Sequence, residues 1–425
     1  MRGLTRRLVA VATLAAVGAT VAATPAQATG KSYVKVGYFT QWGIYGRDFQ
    51  LSKVQSSGAA ARLTHLNYAF GPVTAEGVCA SADAWADWQT PFDDAHSVDG
   101  VGDVAGQPIA GNLNQLAELK KKNPQLRVLI SLGGWTGSAY FSDAALTDAS
   151  RKKLVSSCVD LWIKGNLPGL PEGVAAGIFD GVDLDWEWPG SEGNAGNIVR
   201  PEDKRNFTLL TAEFRAQLDK LSRSTKRKYD LTAFLPAAPA KIEAGFEGDK
   251  IFKYLDFATV QGYDFHGTWE SRTNQQSALF VPRGAPDNPD FSVDVAINAW
   301  IKAGAPRREL VLGLPYYSQG WTGVSGGGDG LFQPATGPAP GVFAAGVEDY
   351  KTVKTLPGFT LHRDLRAGHA WLFDGTTFWT YDDPAQMLQK ALYIRAKGLG
   401  GAMMWSLDGD DGNASLTRAI SAGLR

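Results

Sequence analysis

The sequence has little of what metal-binding, nucleic-acid-binding and membrane proteins need. Its 425 residues include two cysteines and five histidines, in no cluster, which excludes zinc hydrolysis and disfavours a nucleophilic Ser–His pair. Basic and acidic residues nearly balance at 42 and 43, without a long basic run, so a nucleic-acid partner is not expected. After the N-terminus no apolar stretch approaches the length of a membrane-spanning helix. We expect neither a metal nor a cofactor.

The first 28 residues have a composition of their own. Three arginines within the first seven positions precede an apolar, Ala-rich run at 8–23, and Ala-Gln-Ala at 26–28 is a small-x-small cleavage site. This order is typical of a secretory signal peptide; a membrane anchor is the alternative, but the run is short and the cleavage site follows it directly. The sequence predicts a leader over 1–28, a mature chain over 29–425, and a secreted protein free of the membrane after cleavage.

The two cysteines are Cys79 and Cys158, far apart in the sequence. In an oxidising compartment they could form one disulfide. The sequence alone leaves the pairing open.

Aromatic residues are more numerous than a core of this size usually needs, with 13 Trp and 13 Tyr. Flat rings stack on the apolar faces of sugars, so a carbohydrate ligand is indicated. About half of these rings are expected to pack in the core instead.

The stretch FDGVDLDWEWP at 179–189 places three acids among apolar residues. If it is a strand, Asp183, Asp185 and Glu187 share one face, because side chains alternate with period two. Burying them costs several kcal/mol per ion unless neighbours, protons or hydrogen bonds compensate. A solvated edge strand or an acidic metal site is the alternative, but interleaved tryptophans do not suit a solvated face. We interpret this strand as the centre of an active site.

Buried strand-like segments alternate with helical ones along the rest of the chain. This order predicts a parallel sheet covered on both faces, and eight such units predict an α/β fold, a closed (β/α)8 barrel. A doubly wound open sheet is the alternative, but no strand is followed by a phosphate-binding glycine pattern. The predicted strands cover 33–39, 63–70, 126–132, 179–189, 229–235, 255–263, 309–317 and 400–407, and the predicted helices 112–122, 147–164, 201–222, 293–303, 383–397 and 415–422.

Two intervals are too long for simple connections. Residues 318–382 contain short strand patterns around Gly- and Pro-rich turns, which predict a small α+β insertion between the seventh strand and the following helix. We expect this insertion to stand beside the barrel mouth and deepen one side of a cleft. Residues 71–108 are acidic and without periodicity, as in a functional wall or a disordered loop.

The predicted strand ends carry motifs that resemble one family. DGVDLDWE at 180–187 resembles the DxxDxDxE signature of glycoside hydrolase family 18 chitinases of the bacterial type, and SLGG at 131–134 resembles their SxGG motif. Tyr-Asp at 263–264 falls at the family's strand-six pair, and Trp405 at its strand-eight tryptophan. The resemblance extends over the mature chain and includes an insertion like the family's chitinase insertion domain. Gln261 is a departure, because the family often has Met there.

The resemblance implies a retaining mechanism in which the substrate's acetamido oxygen is the nucleophile. Glu187 would be the general acid, with a pKa raised by burial and by the charge of Asp185. Asp185 would hold the acetamido N–H and stabilise the oxazolinium ion, and Asp183 would share its proton. Tyr263 would hydrogen-bond the acetamido group, and Trp405 would form the floor under the reacting sugar.

The resemblance implies further residues that line the pocket or contact other sugar units. Asp264 would support the site from strand six, and Gln261 would shape the pocket. Trp42 and Trp135 are the first candidates for stacking on sugars away from the cleavage point. The remaining candidates are Tyr317, Trp269 and Trp321 as further sugar contacts, and Tyr38, Ser131 and Asp180 as supporting residues.

These implications together predict a secreted, monomeric chitinase that binds chitin and chito-oligosaccharides and hydrolyses their β-1,4 links. An endo-β-N-acetylglucosaminidase acting on N-glycans could share the signature and is the nearest alternative. A chitin-binding lectin on the same barrel is the alternative from another class. Such lectins lack the acid, so Glu187 argues against this alternative.

Overall fold

The computed structural model describes residues 32–286 and 291–425. Within these ranges eight parallel strands close into a barrel. The barrel strands are β1 (Val34–Thr40), β2 (His65–Gly71), β3 (Arg127–Gly133), β4 (Gly181–Asp185), β5 (Asp230–Leu235), β6 (Phe257–Val260), β7 (Leu310–Pro315) and β14 (Gly401–Trp405). Closure is made by β1, which is hydrogen-bonded to both β2 and β14. The predicted (β/α)8 barrel is confirmed.

Alternation along each strand separates two apolar layers. On β4, Val182 and Leu184 are fully buried in the layer between barrel and helices, while Asp183 lies among the inward-facing residues. The barrel interior holds a smaller apolar cluster that includes Val36, Tyr38 and Met403. Carboxylates on β4 therefore face the inside of the barrel, as the period of two predicts.

Helices cover the outside of the barrel. Local signals set several of their ends: Thr147 caps one helix in a capping box with Ser150, and Asp383 caps another whose first residue is Pro384. Of the predicted helix 147–164, the α-helical part ends at Cys158 and a π-helical turn, Val159–Ile163, follows it directly. The helices are α1 (Leu51–Ser56), α2 (Gly111–Lys122), α3 (Phe141–Ala145), α4 (Asp148–Cys158), α5 (Asp203–Thr225), α6 (Pro239–Gly245), α7 (Gly248–Ile251), α8 (Val293–Lys302), α9 (Tyr350–Val353), α10 (Pro384–Lys397) and α11 (Ser415–Gly423).

A second, antiparallel sheet lies between β7 and α10, in the interval where the insertion is predicted. Its strands are β8 (Tyr317–Thr322), β9 (Gly337–Pro338), β10 (Val347–Asp349), β11 (Thr360–Asp364), β12 (His369–Phe373) and β13 (Phe378–Tyr381). Their order is β10-β8-β13-β12-β11, with β9 paired to β8. The seventh barrel strand ends at Pro315, so Tyr317 belongs to this sheet and not to the barrel strand that the sequence predicted.

The acidic connection after β2 is ordered. It contains a π-helical turn, Trp85–Gln89, and Cys79 forms a disulfide with Cys158 at the end of α4. The backbone N–H of Cys79 also donates to Ser157 Oγ at 2.9 Å. This connection is therefore tied to the helical layer, and the disulfide that the sequence left open is present.

The described helices include none that is long and apolar enough to cross a membrane. The predicted leader over 1–28 lies outside the described residues.

Candidate active site

A cavity of about 760 Å³ opens at the carboxyl ends of the barrel strands. Most of the residues that the sequence singled out meet in its wall, although they come from separate parts of the chain. Those in the wall are Tyr38, Trp42, Trp135, Asp185, Glu187, Gln261, Tyr263, Asp264, Trp269 and Trp405.

Two of the remaining predicted residues lie next to this cavity. Asp183 lies deeper on β4, fully buried and beneath the wall. Tyr317 lines a smaller adjoining cavity of about 250 Å³, which shares Asp264 and Trp405 with the large one. Trp321, by contrast, is fully buried in the second sheet, where its indole N–H donates to the Glu270 carbonyl oxygen, so its prediction as a sugar contact is wrong.

Asp183 is held by three hydroxyl groups in one layer of the barrel. Tyr38 Oη and Ser131 Oγ donate to its Oδ2 at 2.6 and 2.8 Å, and Thr232 Oγ1 donates to its Oδ1 at 2.5 Å. The sheet register aligns Ser131, Asp183 and Thr232 across β3, β4 and β5. Burial raises the pKa of Asp183, and these hydrogen bonds lower it.

Asp185 has no such set of donors. Its side chain is buried, and its Oδ1 has no hydrogen-bond partner within the described residues. Burial, then the charges of Glu187 and Asp183, raise the pKa of Asp185 well above its usual range. An unpaired buried acceptor in a cavity wall is suited to a ligand that brings an N–H donor.

Glu187 lies two residues beyond the end of β4, so the strand is shorter than the predicted 179–189. Its backbone is fixed on both sides: its N–H donates to Ser138 Oγ at 3.1 Å and its carbonyl accepts from Asn197 Nδ2 at 2.8 Å. Burial raises the pKa of Glu187, the charge of Asp264 adds to this, and Lys241 opposes it. A carboxyl group in this setting keeps its proton above the ordinary glutamate range.

The source of the charge that raises the pKa of Glu187 differs from the expectation. The sequence assigned it to Asp185, whereas in the structure Asp264 is the acid that raises the pKa of Glu187. Within the Asp185–Glu187 pair, it is the pKa of Asp185 that is raised by the charge of Glu187. The pair therefore favours a state with a proton on one of its members.

Glycines at 133–134 allow β3 to approach β4 and the cavity wall closely. Gly133 has a φ of +107°, and a Cβ there would lie 2.3 Å from the Asp185 carbonyl oxygen. That carbonyl accepts hydrogen bonds from the Gly134 N–H at 2.8 Å and from Ser138 Oγ at 3.0 Å. The motif thus fixes the backbone on which Asp185 sits.

Tyr263 and Asp264 follow β6, which ends at Val260 and is shorter than predicted. Asp264 Oδ1 accepts from Tyr317 Oη at 2.6 Å and from Gln319 Nε2 at 3.0 Å, and burial raises the pKa of Asp264. Tyr263 is buried beside Tyr317, with ring centroids 6.0 Å apart. Strand six and the second sheet therefore hold one acid next to Glu187.

Aromatic rings form the floor and the rim of the cavity. Trp405 stacks on Phe70 at a centroid distance of 5.6 Å and meets the edge of Tyr38 at 5.2 Å. At the rim, Trp42 and Trp135 are 43% and 50% exposed. A flat floor with exposed rings at the rim provides stacking surfaces for several sugar units.

Several wall residues were missed from the sequence. Lys241 comes from α6 and Gln319 from β8, neither of which is a barrel strand, so no local pattern pointed to them. Trp188 was noticed only as part of the acidic motif, although its buried ring packs on Phe234 in the wall. Thr232 lies beneath the wall, where it donates to Asp183, and could have been found because it is a polar residue at an inward position of an apolar strand.

In the described ranges no group of three or more His, Cys, Asp or Glu side chains is arranged to hold a metal ion. The chemistry that these residues can supply themselves is proton transfer by Glu187 and charge stabilisation by Asp185.

Comparison with known proteins places the chain among relatives. The family described as glycosyl hydrolases family 18 matches residues 34–410. Chitinase A1 of Niallia circulans is 35% identical over an alignment that covers 92% of this chain and 58% of the relative. Chitinase 63 of Streptomyces plicatus is 37% identical over 92% of this chain and 60% of the relative. The chain thus spans about 60% of these relatives. The catalytic domain of psychrophilic chitinase B from Arthrobacter TAD20 superposes with a TM-score of 0.89 at 47% identity, covering 93% of this chain and 95% of that one.

Proposed function

The chain belongs to glycosyl hydrolase family 18, and on that premise we propose that it is a chitinase. It cleaves β-1,4 links between N-acetylglucosamine units and retains the configuration at the anomeric carbon. The observation that carries the proposal is a buried Glu187, whose pKa is raised by burial, next to a buried Asp185 with an unpaired oxygen, inside an aromatic cavity.

The proposed reaction begins with proton transfer. Glu187 donates its proton to the glycosidic oxygen, while the acetamido carbonyl oxygen of the same substrate sugar attacks the anomeric carbon and the glycosidic bond breaks. Asp185 accepts a hydrogen bond from the acetamido N–H and balances the positive charge of the oxazolinium ion. Water then opens this ion while Glu187, now a carboxylate, takes a proton from the water. Atoms and charges balance without a protein nucleophile.

The neighbouring residues have supporting roles in this proposal. Asp183 is held beneath the cavity wall by its three hydroxyl donors, and its negative charge raises the pKa of Asp185. Tyr263 donates to the acetamido group, and Trp405 forms the floor under the reacting sugar. The other proposed substrate contacts are Trp42, Trp135, Gln261, Asp264, Tyr317 and Tyr38.

We propose further that the protein is exported by way of the leader over 1–28 and acts as a monomer without a cofactor and without the membrane. The support for export is the basic segment, apolar run and small-x-small site of the N-terminus.

A substrate panel tests the assignment. The wild-type protein is incubated with chitohexaose, cellohexaose and a high-mannose glycopeptide, and the products are separated by chromatography. We expect chitohexaose to yield shorter acetylated oligosaccharides and the other two to remain intact, because cellohexaose lacks the acetamido group and the glycopeptide is branched. Release of the glycan with intact chitohexaose would instead identify an endo-β-N-acetylglucosaminidase. Binding of chitohexaose without cleavage would identify a lectin.

The pH dependence of kcat/KM on chitohexaose tests the charges around Glu187. Glu187 acts as an acid only while protonated, so activity should extend above the ordinary glutamate range and fall as pH rises through its raised pKa. Asp264→Asn removes a charge that raises this pKa, and the falling limb should move to lower pH. Lys241→Met removes a charge that lowers it, and the limb should move to higher pH. Shifts in the same direction for both variants would contradict the assignment.

A further inference from the structure

Two exposed aromatic residues, Trp42 in the cavity wall and Tyr45 three residues further along the chain, lie on a very short segment. Trp42 belongs to the one-turn 3₁₀ helix Gln41–Ile44, and Tyr45 follows it; the two rings are 43% and 48% exposed and are here called the aromatic shelf. The turn has no side-chain cap. A single helical turn does not hold itself in place, so the position of the shelf must be set by contacts with other segments.

Three side-chain hydrogen bonds tie this turn to the rest of the protein. Gln41 Nε2 donates to Asp87 Oδ1 at 2.5 Å, and Asn112 Nδ2 donates to the Gln41 carbonyl oxygen at 3.2 Å. Tyr45 Oη donates to Asp83 Oδ2 at 2.6 Å. All three partners come from the acidic connection after β2 or the start of α2. That connection therefore acts as a bracket for the aromatic shelf.

Asp87 is the central group of this bracket. It is fully buried, and besides Gln41 it accepts hydrogen bonds from Tyr68 Oη and from Ser81 Oγ. These donors are all neutral, and burial raises the pKa of Asp87 to about 6. Replacing a buried hydrogen-bonded group together with its partners by apolar groups of the same shape can leave stability nearly unchanged. The contribution of Asp87 is geometric, because it fixes donors from three separate segments at one point.

We propose that Asp87 is a positioning residue for long substrates: it fixes Gln41 and so holds the aromatic shelf where distant sugar units stack. The inference rests on the proposed function. The rings of Trp405, Phe70 and Trp42 follow one another at centroid distances of 5.6 and 6.1 Å, so Trp42 lies two ring-to-ring steps from the floor. A substrate must extend beyond the reacting sugar to reach the shelf.

Chain-length dependence of the kinetics tests this role. KM and kcat are measured for Asp87→Asn with chitohexaose and with a chromogenic chitobioside whose two sugars lie close to Glu187. We expect KM for chitohexaose to rise about five- to tenfold, the value of one aromatic stacking contact, with kcat nearly unchanged. For the chitobioside both parameters should stay within about twofold of wild type, because the shelf is out of its reach.

Two further variants separate positioning from loss of stability. Tyr45→Phe keeps the ring and removes its hydrogen bond to Asp83, so it should raise KM for chitohexaose in the same direction without a buried change. Asp230→Asn alters another buried, hydrogen-bonded aspartate at the amino end of β5, and it should lower thermal stability without changing the ratio of the two KM values.

The outcomes distinguish this inference from the proposed function. Wild-type KM for chitohexaose in a folded Asp87→Asn would overturn the positioning role, as would an equal rise in KM for both substrates. If Asp87→Asn does not fold, Gln41→Met, which removes the donor to Asp87 Oδ1, decides the question: the same selective rise in KM supports the positioning role, and wild-type KM overturns it. If the wild-type protein cleaves neither substrate, it is the proposed function that fails.

Discussion

Glu187→Gln is expected to lower kcat for chitohexaose about 10³-fold or more, because general acid catalysis contributes roughly 10²–10⁴-fold to such steps. Glutamine has the size and shape of glutamate but cannot give a proton to the glycosidic oxygen. The backbone of residue 187 is held by Ser138 and Asn197 and does not depend on the carboxyl group. The cavity should therefore keep its shape, and oligosaccharide binding should persist.

The measurement pairs product analysis with binding. Hydrolysis of chitohexaose is followed by chromatography, and binding to the inactive variant by quenching of tryptophan fluorescence, since Trp405, Trp42 and Trp135 line the cavity. Glu202→Gln is the matched control, because Glu202 is an exposed glutamate just before α5 and away from the cavity wall. Wild-type turnover in Glu187→Gln would remove Glu187 from the mechanism.

Asp185→Asn is expected to lower kcat for chitohexaose by about 10²–10³-fold, the range found when one electrostatic partner of a charged intermediate is removed. The asparagine side chain could still accept one hydrogen bond, but it would carry no charge to balance the oxazolinium ion. Because the Asp185–Glu187 repulsion would also disappear, the pH profile of the variant should change along with its rate.

Asp180→Asn is the matched control on the same segment of the chain. Asp180 precedes β4 at the opposite end of the barrel, where it accepts from Lys120 Nζ at 2.7 Å, Arg227 Nη2 at 2.9 Å and the Val128 N–H at 2.9 Å. Its substitution should lower the free energy of unfolding and leave kcat unchanged. A similar loss of kcat in both variants would mean that the first is a structural effect.

The fold and the centre of the site could be predicted because their signals are local. Each barrel strand is a short buried run, and barrel chemistry collects at strand ends, so Asp185, Tyr263 and Trp405 could be placed together from the sequence. The lengths of β4 and β6 were overestimated for a physical reason. The chain leaves the barrel early at both places, and this departure carries Glu187 and Tyr263 over the cavity.

The supporting residues could not be predicted because their contacts are long-range. Gln319 and Lys241 reach the cavity from the second sheet and from α6, and neither position follows from local periodicity. The charge relations around Glu187 also depend on this packing, which brings Asp264 close enough to raise its pKa.

The acidic connection after β2 is the clearest case of missing information. Its sequence has no periodicity and fits a functional wall or a disordered loop, yet Asp87 is fully buried in it. Burial there requires donors from β2 and from the turn after β1, together with the Cys79–Cys158 disulfide that ties the connection to α4. None of these partners is close in sequence, so only the folded chain reveals the bracket.

The central claim is that Asp185 acts on the acetamido group of the reacting sugar, and a variant–substrate cycle tests it most directly. Rates of the wild-type protein and Asp185→Asn are measured on a chromogenic chitobioside and on the same compound with a free amine on the reacting sugar. The wild-type protein should be much slower on the free amine than on the acetylated compound. Asp185→Asn should be slow on the acetylated compound already and only slightly slower on the free amine, because both changes remove the same interaction. If the free amine lowered the rate of Asp185→Asn by the same factor as it lowers the rate of the wild type, the two changes would act independently and the account would be contradicted.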